Sequence, residues 1–128
     1  MSEPFTYRLK MENLRVYDGD TVKVSTFELG MDVNLANQSI RMEGIDTPEL
    51  RGSAPYEKAL AYQSRDLLKS ILEEAEVISF TSKKSGKFGR LIGRIYADGK
   101  DVNQMMIDSG LARPYDGTGK REPWTEVS

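Results

Sequence analysis

The first half of the chain alternates between apolar and polar residues, a pattern that predicts β-strands. Residues 7–16 alternate loosely, whereas residues 21–29 alternate more clearly and are rich in β-branched side chains. The Asp-Gly dipeptide between them predicts a tight turn. We expect a loop or an irregular continuation over residues 30–37, and then a short third strand over residues 39–45. Three strands joined this closely predict an antiparallel meander.

The middle of the chain carries a helical pattern. Pro55 suits the first turn of a helix, and apolar residues then recur at helical spacing to about residue 72. The predicted apolar face comprises Tyr56, Leu60, Leu67, Leu68, Ile71 and Leu72. We therefore expect one long helix after the third strand.

Two more strands are predicted in the last third, over residues 77–81 and 90–96. A polar loop over residues 82–89 separates them, and a hairpin turn over residues 97–100 follows. Five strands, with the long helix between the third and the fourth, predict an α+β fold that is mainly β. This is the element order of an OB-fold, a five-stranded and partly open Greek-key barrel.

A short helix is predicted after the fifth strand. Asp101 is its expected N-cap, with Gln104 as the capping-box partner, and Gly110 suits the position after its last turn. The tail from about residue 113 is turn-rich and is predicted to be extended. Because 128 residues suit one domain, we expect a single domain over residues 1–128.

Composition limits the chemistry that is available. The chain has no cysteine and no histidine, which excludes disulfides, thiolate zinc sites and the commonest general base. Its net charge of −2 argues weakly against tight nucleic-acid binding, although local basic patches stay open. No apolar run reaches membrane-spanning length and no signal peptide is recognisable, so we expect a cytoplasmic protein without membrane contacts. We also expect a monomer. A mature secreted form would have the same features.

Charged residues cluster where the predicted strands end. Asp20 follows the first turn, and Asp46 and Glu49 follow the third strand, which also carries Arg41. Carboxylates are hard oxygen ligands that suit Ca²⁺, and the arginine fork pairs with phosphate at two points. A purely structural interpretation is also open, because Asp and Gly are the residues that turns require.

A third segment is strongly basic. It contains Lys83, Lys84, Lys87 and Arg90 without any acidic residue. It is either the tip of a solvated loop or a loop that faces phosphate. Together, the three segments supply two carboxylates for a cation and a third carboxylate for a water molecule. They also supply two arginines for phosphate. This set is sufficient for metal-assisted phosphodiester hydrolysis without histidine.

Five short patterns occur in an order that is similar to that of one known family. They are Asp18-Gly19-Asp20-Thr21, Arg41 with Ile45-Asp46-Thr47-Pro48-Glu49, Lys87-Phe88-Gly89-Arg90, Tyr96-Ala97-Asp98-Gly99 with Val102-Asn103, and Gly110-Leu111-Ala112. Together they resemble the staphylococcal (thermo)nuclease family over residues 16–112. The resemblance implies an OB-fold, Ca²⁺ dependence, and hydrolysis of DNA and RNA, with single strands preferred, to 3′-phosphate products.

The resemblance also implies roles for individual acidic residues. Asp20 and Asp46 would be metal carboxylates, and the backbone carbonyl of Thr47 would be a further ligand. Glu49 would position or deprotonate the attacking water. With so few protein ligands, we expect a weak metal site until substrate phosphate and water complete it.

Contacts to the substrate would come mainly from basic residues. The resemblance implies that Arg41 and Arg90 bind the scissile phosphate, with Arg90 nearest the leaving 5′-oxygen. Further candidate substrate-binding residues are Lys83, Lys84, Lys87, Phe88 and Tyr115. Phe88 stands where the family has a tyrosine, and the family's lysine-rich C-terminal helix has no clear counterpart. We therefore expect substrate binding to be weaker and more sensitive to salt.

Two alternatives to an enzyme are open. One is a non-catalytic module of the same family that binds nucleic acid or protein, although such modules commonly lack part of the acidic and arginine set. The other is an OB-fold that binds single strands, although few residues are aromatic and no aromatic ladder is visible. The complete set of acids and arginines favours the enzyme.

The third predicted strand poses a geometric problem. In a regular strand, Arg41 and Asp46 would lie on opposite faces, yet the proposed chemistry needs both at one phosphate. A bulge or sharp twist at Gly44 would resolve this, since glycine permits such a backbone. Glu43 is then expected to be a solvated strand residue.

Overall fold

The computed structural model describes residues 6–50, 54–85, 90–116 and 124, and it describes only the backbone of residues 83–85 and 90. The strands are β1 (Thr6–Leu9), β2 (Leu14–Asp18), β3 (Thr21–Gly30), β4 (Val33–Met42), β5 (Ile45–Asp46), β6 (Ile78–Ser85), β7 (Arg90–Ala97), β8 (Lys100–Asp101) and β9 (Arg113–Pro114). The helices are α1 (Pro55–Glu74), α2 (Val102–Asp108) and a short 3₁₀ helix (Met11–Asn13). None of the helices within these ranges is long and apolar enough to cross a membrane.

Most of these strands form one sheet. Its order is β1-β6-β7-β4-β3-β2, and β8 adds to β7. The neighbours β2, β3 and β4 are antiparallel, which confirms the predicted meander, whereas β4 runs parallel to β7. The short strands β5 and β9 form a separate antiparallel pair.

A short connection joins the two edges of the sheet and forces it to curl. Strand β1 lies at one edge and β2 at the other, yet only residues 10–13 separate them along the chain. In a flat sheet, five steps of about 4.8 Å between strands would put these edges roughly 24 Å apart. The chain from Leu9 to Leu14 reaches at most about 18 Å. The sheet therefore bends, which is consistent with a mainly β, OB-like α+β fold.

Two predicted boundaries in the first half are wrong. The predicted first strand is divided at Leu9, because β1 pairs with β6 and the chain then turns into β2, which pairs with β3. The predicted loop over residues 30–37 is mostly strand, because β4 begins at Val33. Met31 and Asp32 form a two-residue turn, with φ of 53° and 62°. Positive φ at both central residues suits a tight hairpin.

The hydrophobic core joins residues of the sheet with residues of both helices. Its buried members are Leu9, Val22, Val24, Phe27, Ile40, Met42, Ile45, Leu68, Leu72, Ile78, Phe80, Ile95, Ala97, Val102, Met106 and Ala112. Helix α1 begins at Pro55 and buries residues at helical spacing. The prediction for Tyr56 is wrong, since it is 38% exposed. The buried stripe runs instead through the small residues Ala61 and Ser64, which let the backbone of α1 approach its neighbours.

Helix α2 confirms most of the predicted signals at its ends. Asp101 is its N-cap and accepts a hydrogen bond from the backbone N–H of Gln104 at 3.1 Å. The predicted capping box is wrong, because the Gln104 side chain donates to Asp108 at 2.9 Å instead of reaching back. Gly110 follows the helix with φ of 83°, and the predicted hairpin turn over residues 97–100 is present.

Candidate active site

Asp20 is a buried carboxylate in the turn between β2 and β3. It accepts hydrogen bonds from the Thr21 hydroxyl at 3.0 Å and from the backbone N–H of Thr47 at 3.3 Å. The guanidinium of Arg41 pairs with it at 2.8 Å. These contacts connect the β2–β3 turn to β4 and to the segment after β5, so three of the predicted site residues meet here.

The same turn holds a second carboxyl group, Asp18, which accepts the backbone N–H of Asp20 at 3.1 Å. Burial, with smaller contributions from the charge of Asp20 and a side-chain hydrogen bond to it, raises the pKa of Asp18 to about 7, and Arg41 opposes this shift. The turn packs directly on α1, because a Cβ at Gly19 would overlap the Ser64 hydroxyl. The turn therefore holds two carboxyl groups close together, and one of them, Asp18, keeps its proton almost to neutral pH.

The chain turns at Gly44 between Arg41, in β4, and Asp46, in β5. Strand β4 ends two residues before Gly44, which has φ of 81°, and β5 begins directly after it. The Arg41 side chain follows this turn and donates to the carbonyl of Ile45 at 3.1 Å. The regular ladder thus stops where the sequence predicts a break, and the Arg41 side chain reaches the residue that precedes Asp46.

Glu43 anchors this turn, so the prediction that it is solvated is wrong. It is half-buried and pairs with Arg94 at 3.3 Å. The buried side chain of Asn103, at the start of α2, donates to the carbonyl of Glu43 at 2.8 Å and accepts the backbone N–H of Ile95 at 3.1 Å. The amide thereby ties the turn to β7 and α2.

Asp46 is almost completely buried in β5, with 2% of its surface exposed. Arg113, its partner in β9, places Nε and Nη2 each 2.9 Å from the Asp46 carboxylate. The guanidinium also lies over the Trp124 ring, 4.6 Å from its centroid. Sequence reasoning missed Arg113, because a pairing of two-residue strands so far apart in the chain leaves no periodic signal.

Glu49 combines an exposed side chain with an anchored backbone. Thr47 and Pro48, which precede it, are buried. Its backbone N–H donates to the carboxylate of Glu57 at 2.9 Å, and the same carboxylate accepts the backbone N–H of Trp124 at 3.0 Å. Glu57 is buried in the first turn of α1 and is a second residue that the sequence did not identify. It fixes the backbone of the segment that carries Glu49 to the start of α1.

The basic segment lies partly outside the described residues. Lys87 and Phe88 fall there, and only the backbone of Lys83, Lys84 and Arg90 is described. Lys83 and Lys84 belong to β6, so the prediction that they lie in a loop is wrong.

Two further candidates can be placed by their backbones. Arg90 begins β7 in register with Ser39, two residues before Arg41 in the neighbouring strand β4. Tyr115 donates its backbone N–H to the carbonyl of Gly44 at 2.9 Å, which places it at the turn before β5. The register thus places Arg90 on the strand next to Arg41, whereas only Tyr115 is held at the turn that leads to Asp46.

The oxygen donors at this edge suit a hard divalent cation as a partial ligand shell. Two buried carboxylates, Asp20 and Asp46, and the carbonyl of Thr47 are of the type that Ca²⁺ takes, but Ca²⁺ requires about six to eight ligands. Among the described residues, no group of three or more acidic side chains is arranged to hold a metal ion. Further oxygen ligands from outside this set would have to complete the shell.

The chain is similar to a known family and to several known proteins. Residues 39–126 match the family model described as Staphylococcal nuclease homologue. The chain is 34% identical over 104 residues to an uncharacterized endonuclease of Escherichia coli O157:H7, which covers 80% of this chain and 59% of that protein. It is 32% identical over 103 residues to the SPbeta prophage-derived endonuclease YokF of Bacillus subtilis (strain 168), covering 77% and 32%. Endonuclease YncB of the same organism is 30% identical over 103 residues, covering 77% and 44%.

This chain belongs to the staphylococcal nuclease family, which confirms the resemblance seen in the sequence. It spans less than two thirds of the length of each of these three relatives. The family match includes the β5 segment, α1 and the strands that follow, and therefore contains Arg41, Asp46 and Glu49.

Proposed function

We propose that this protein is a Ca²⁺-dependent phosphodiesterase that hydrolyses DNA and RNA, preferably single-stranded, to 3′-phosphate products. Family membership supports the proposal, as do the endonuclease names of its relatives. The observation that carries it is the hydrogen bond from the Thr47 N–H to Asp20, because it brings the two carboxylate-bearing segments together. Glu49 follows Thr47 on the second of these segments, and Arg41, in β4, pairs with Asp20 at 2.8 Å.

Glu49 is the proposed residue for handling water. A general base must reach the proton that it removes, either directly or through one water. The Glu49 side chain is exposed, while its backbone is held by Glu57, so it reaches solvent from a fixed position. It would orient the attacking water and accept its proton.

Arg41 and Arg90 are the proposed phosphate ligands. Arg41 is held between the Asp20 carboxylate and the Ile45 carbonyl, so its fork is oriented before substrate binds. Preorganised donors of this kind stabilise the charge that develops on phosphate oxygens. Arg90 would stabilise the leaving 5′-oxygen.

Asp20, Asp46 and the carbonyl of Thr47 would hold the calcium ion. When bound, the ion would supply positive charge for the phosphate in the transition state. Asp46 already binds the Arg113 guanidinium through one oxygen, Oδ2. The guanidinium and the calcium ion would therefore share this carboxylate. The arrangement predicts weak metal binding in the absence of substrate.

The proposal extends to the whole chain. We infer that the curled sheet is an OB-fold barrel with five principal strands, and that α1 lies between the third and the fourth. Residues 1–128 would form one domain that acts as a monomer, with the turn-rich tail beginning near residue 113 and DNA or RNA as its substrate.

The test is cleavage of a labelled single-stranded oligonucleotide in Ca²⁺ and in excess chelator. We expect cleavage in Ca²⁺ alone, with 3′-phosphate ends. Arg41→Lys keeps the charge but loses the fork, so we expect its rate to fall at least about tenfold. Arg65→Lys, on the outer side of α1, is the matched control and should keep the wild-type rate. A normal rate for Arg41→Lys would remove Arg41 from the site.

One observation favours a non-catalytic module as the second candidate. Each of the two buried carboxylates is already paired with an arginine, Asp20 with Arg41 and Asp46 with Arg113. Their charges are therefore balanced without a metal ion. Wild-type protein that binds the oligonucleotide but cleaves it with none of Ca²⁺, Mg²⁺ and Mn²⁺ would establish this candidate instead.

A further inference from the structure

A groove of about 990 Å³ crosses the sheet on β2, β3 and β4, outside the set of residues proposed for catalysis. We name it the outer groove, and its lining includes Arg15, Tyr17, Thr21, Lys23 and Gln38. The lining is predominantly polar or basic, with one acidic residue, Glu12. This composition differs from that of the chain as a whole, whose net charge is −2.

An exposed aromatic ring and two cations stand together in the outer groove. Tyr17 is 44% exposed, and the Lys23 ammonium lies 5.3 Å from the centroid of its ring. Arg15 is opposite Lys23 in the β2–β3 register. Neither cation takes part in an ion pair within the described part of the chain. Both charges are therefore available to a ligand.

The outer groove continues from the candidate active site. Thr21 lines the groove and also donates its hydroxyl to Asp20 at 3.0 Å. Thr21 is opposite Arg41 in β4, and Lys23 is opposite Ser39. Because side chains two apart in a strand share a face, Arg41, Thr21 and Lys23 lie on one face of the sheet. A chain bound by phosphate at Arg41 thus meets Lys23 next.

We propose that the outer groove binds the single-stranded segment of DNA or RNA that flanks the scissile phosphate. Lys23 and Arg15 pair with backbone phosphates, and Tyr17 stacks on a base. This inference rests on the proposed function, because the scissile phosphate fixes one end of the bound strand. The ligand class follows from the lining, since a strand of nucleic acid needs cations for its backbone and an open ring for its bases.

The polar groups of the lining fit the same ligand. Gln38 and Asn13 carry side-chain amides, and Ser25 and Ser39 carry hydroxyls, which are donors and acceptors for base edges. Such groups tolerate different bases, so the outer groove would add affinity without strong sequence preference. It would also favour unpaired strands, because a base must leave its stack to lie on Tyr17.

The test measures binding of fluorescent oligothymidylates of two and eight nucleotides in chelator, where no cleavage occurs. For the octamer, we expect Tyr17→Ala to raise the dissociation constant about tenfold. For the dimer, we expect a smaller rise. Arg15→Gln with Lys23→Gln should lower the slope of log K against log salt by about 1.4. Tyr62→Ala is the matched control, because Tyr62 is 43% exposed and pairs with Arg65 on α1, outside the groove. It should bind within about twofold of wild type.

The outcomes separate this inference from the proposed function. Octamer binding within about twofold of wild type for Tyr17→Ala and for the double variant would overturn the outer groove, even if wild type cleaves normally. No octamer binding by wild type would also overturn it. Octamer binding that depends on Tyr17 and Lys23, in a wild-type protein that does not cleave the oligonucleotide with any metal, would support the outer groove. Only the catalytic proposal would then be refuted. Thermal melts of each variant confirm that the fold is kept.

Discussion

The Asp18 carboxyl group gives the free energy of unfolding a pH dependence of defined sign. Burial, and then the charge of Asp20, raises the pKa of Asp18 from 3.8 to about 7 in the folded protein. The unfolded chain releases this proton near its ordinary pKa, so between the two values the folded state binds one more proton. The free energy of unfolding therefore falls as pH rises through this window and levels off above pH 7.

The size of the effect follows from the shift in pKa. A difference of about three units corresponds to about 4 kcal/mol if the group is fully removed from water. Asp18 is only half-buried, so solvent screening reduces the effect, and we expect about 2 kcal/mol. Linkage limits the slope to about 1.4 kcal/mol per pH unit for one group.

The assay is urea unfolding between pH 4 and pH 8, in chelator, for wild type, Asp18→Asn and Asp32→Asn. Asparagine at position 18 can still accept the Asp20 N–H but cannot ionise, so the difference in unfolding free energy from wild type should change with pH. Asp18→Asn should gain stability relative to wild type as pH rises from about 4 to 7. Asp32 lies in the exposed β3–β4 turn, and its variant should follow wild type. A difference between Asp18→Asn and wild type that is constant with pH would refute the reasoning.

Two further substitutions test the residues that hold the site together. Glu57→Gln replaces one acceptor oxygen with an amide, so we expect a loss of about 1.5–3 kcal/mol in unfolding free energy and a lower kcat. The exposed Glu73→Gln on the same helix is the control, and a Glu57→Gln variant as stable and active as wild type would contradict the anchoring of Glu49. Arg113→Gln removes the cation beside the buried Asp46 carboxylate and should cost about 3 kcal/mol in urea unfolding. An unchanged urea midpoint would show that this pair does not stabilise the fold.

The features that the sequence predicts are those governed by near neighbours in the chain. Alternation at the start of β3 places Val22 and Val24 in the core and Lys23 outside. Pro55 begins α1, and Asp101 caps α2. Each signal acts within a few residues, where periodicity and hydrogen-bonding chemistry decide the local backbone.

The features that the sequence does not predict are of two kinds. Some depend on residues far apart in the chain, and others are strands whose side chains are not buried. Residues 33–37 of β4 are all exposed, so they form a strand by pairing with β3 and not by burying an apolar face. Met31 is not a typical turn residue. The family patterns identify Asp46 but not its ion-pair partner, because Arg113 contacts Asp46 only in the folded chain. In the same way, Gly44 predicts a break in the strand but not the anchoring of that break by Asn103.

The central claim is that Glu49 handles the attacking water at a site built for phosphodiesters. Its most direct test is single-turnover cleavage of a labelled oligonucleotide in saturating Ca²⁺ by wild type and Glu49→Gln, with binding measured on the same samples. The account predicts that the substitution lowers the rate at least about a hundredfold and leaves binding within about twofold. Equal rates for the two proteins, or no cleavage by wild type, would contradict it.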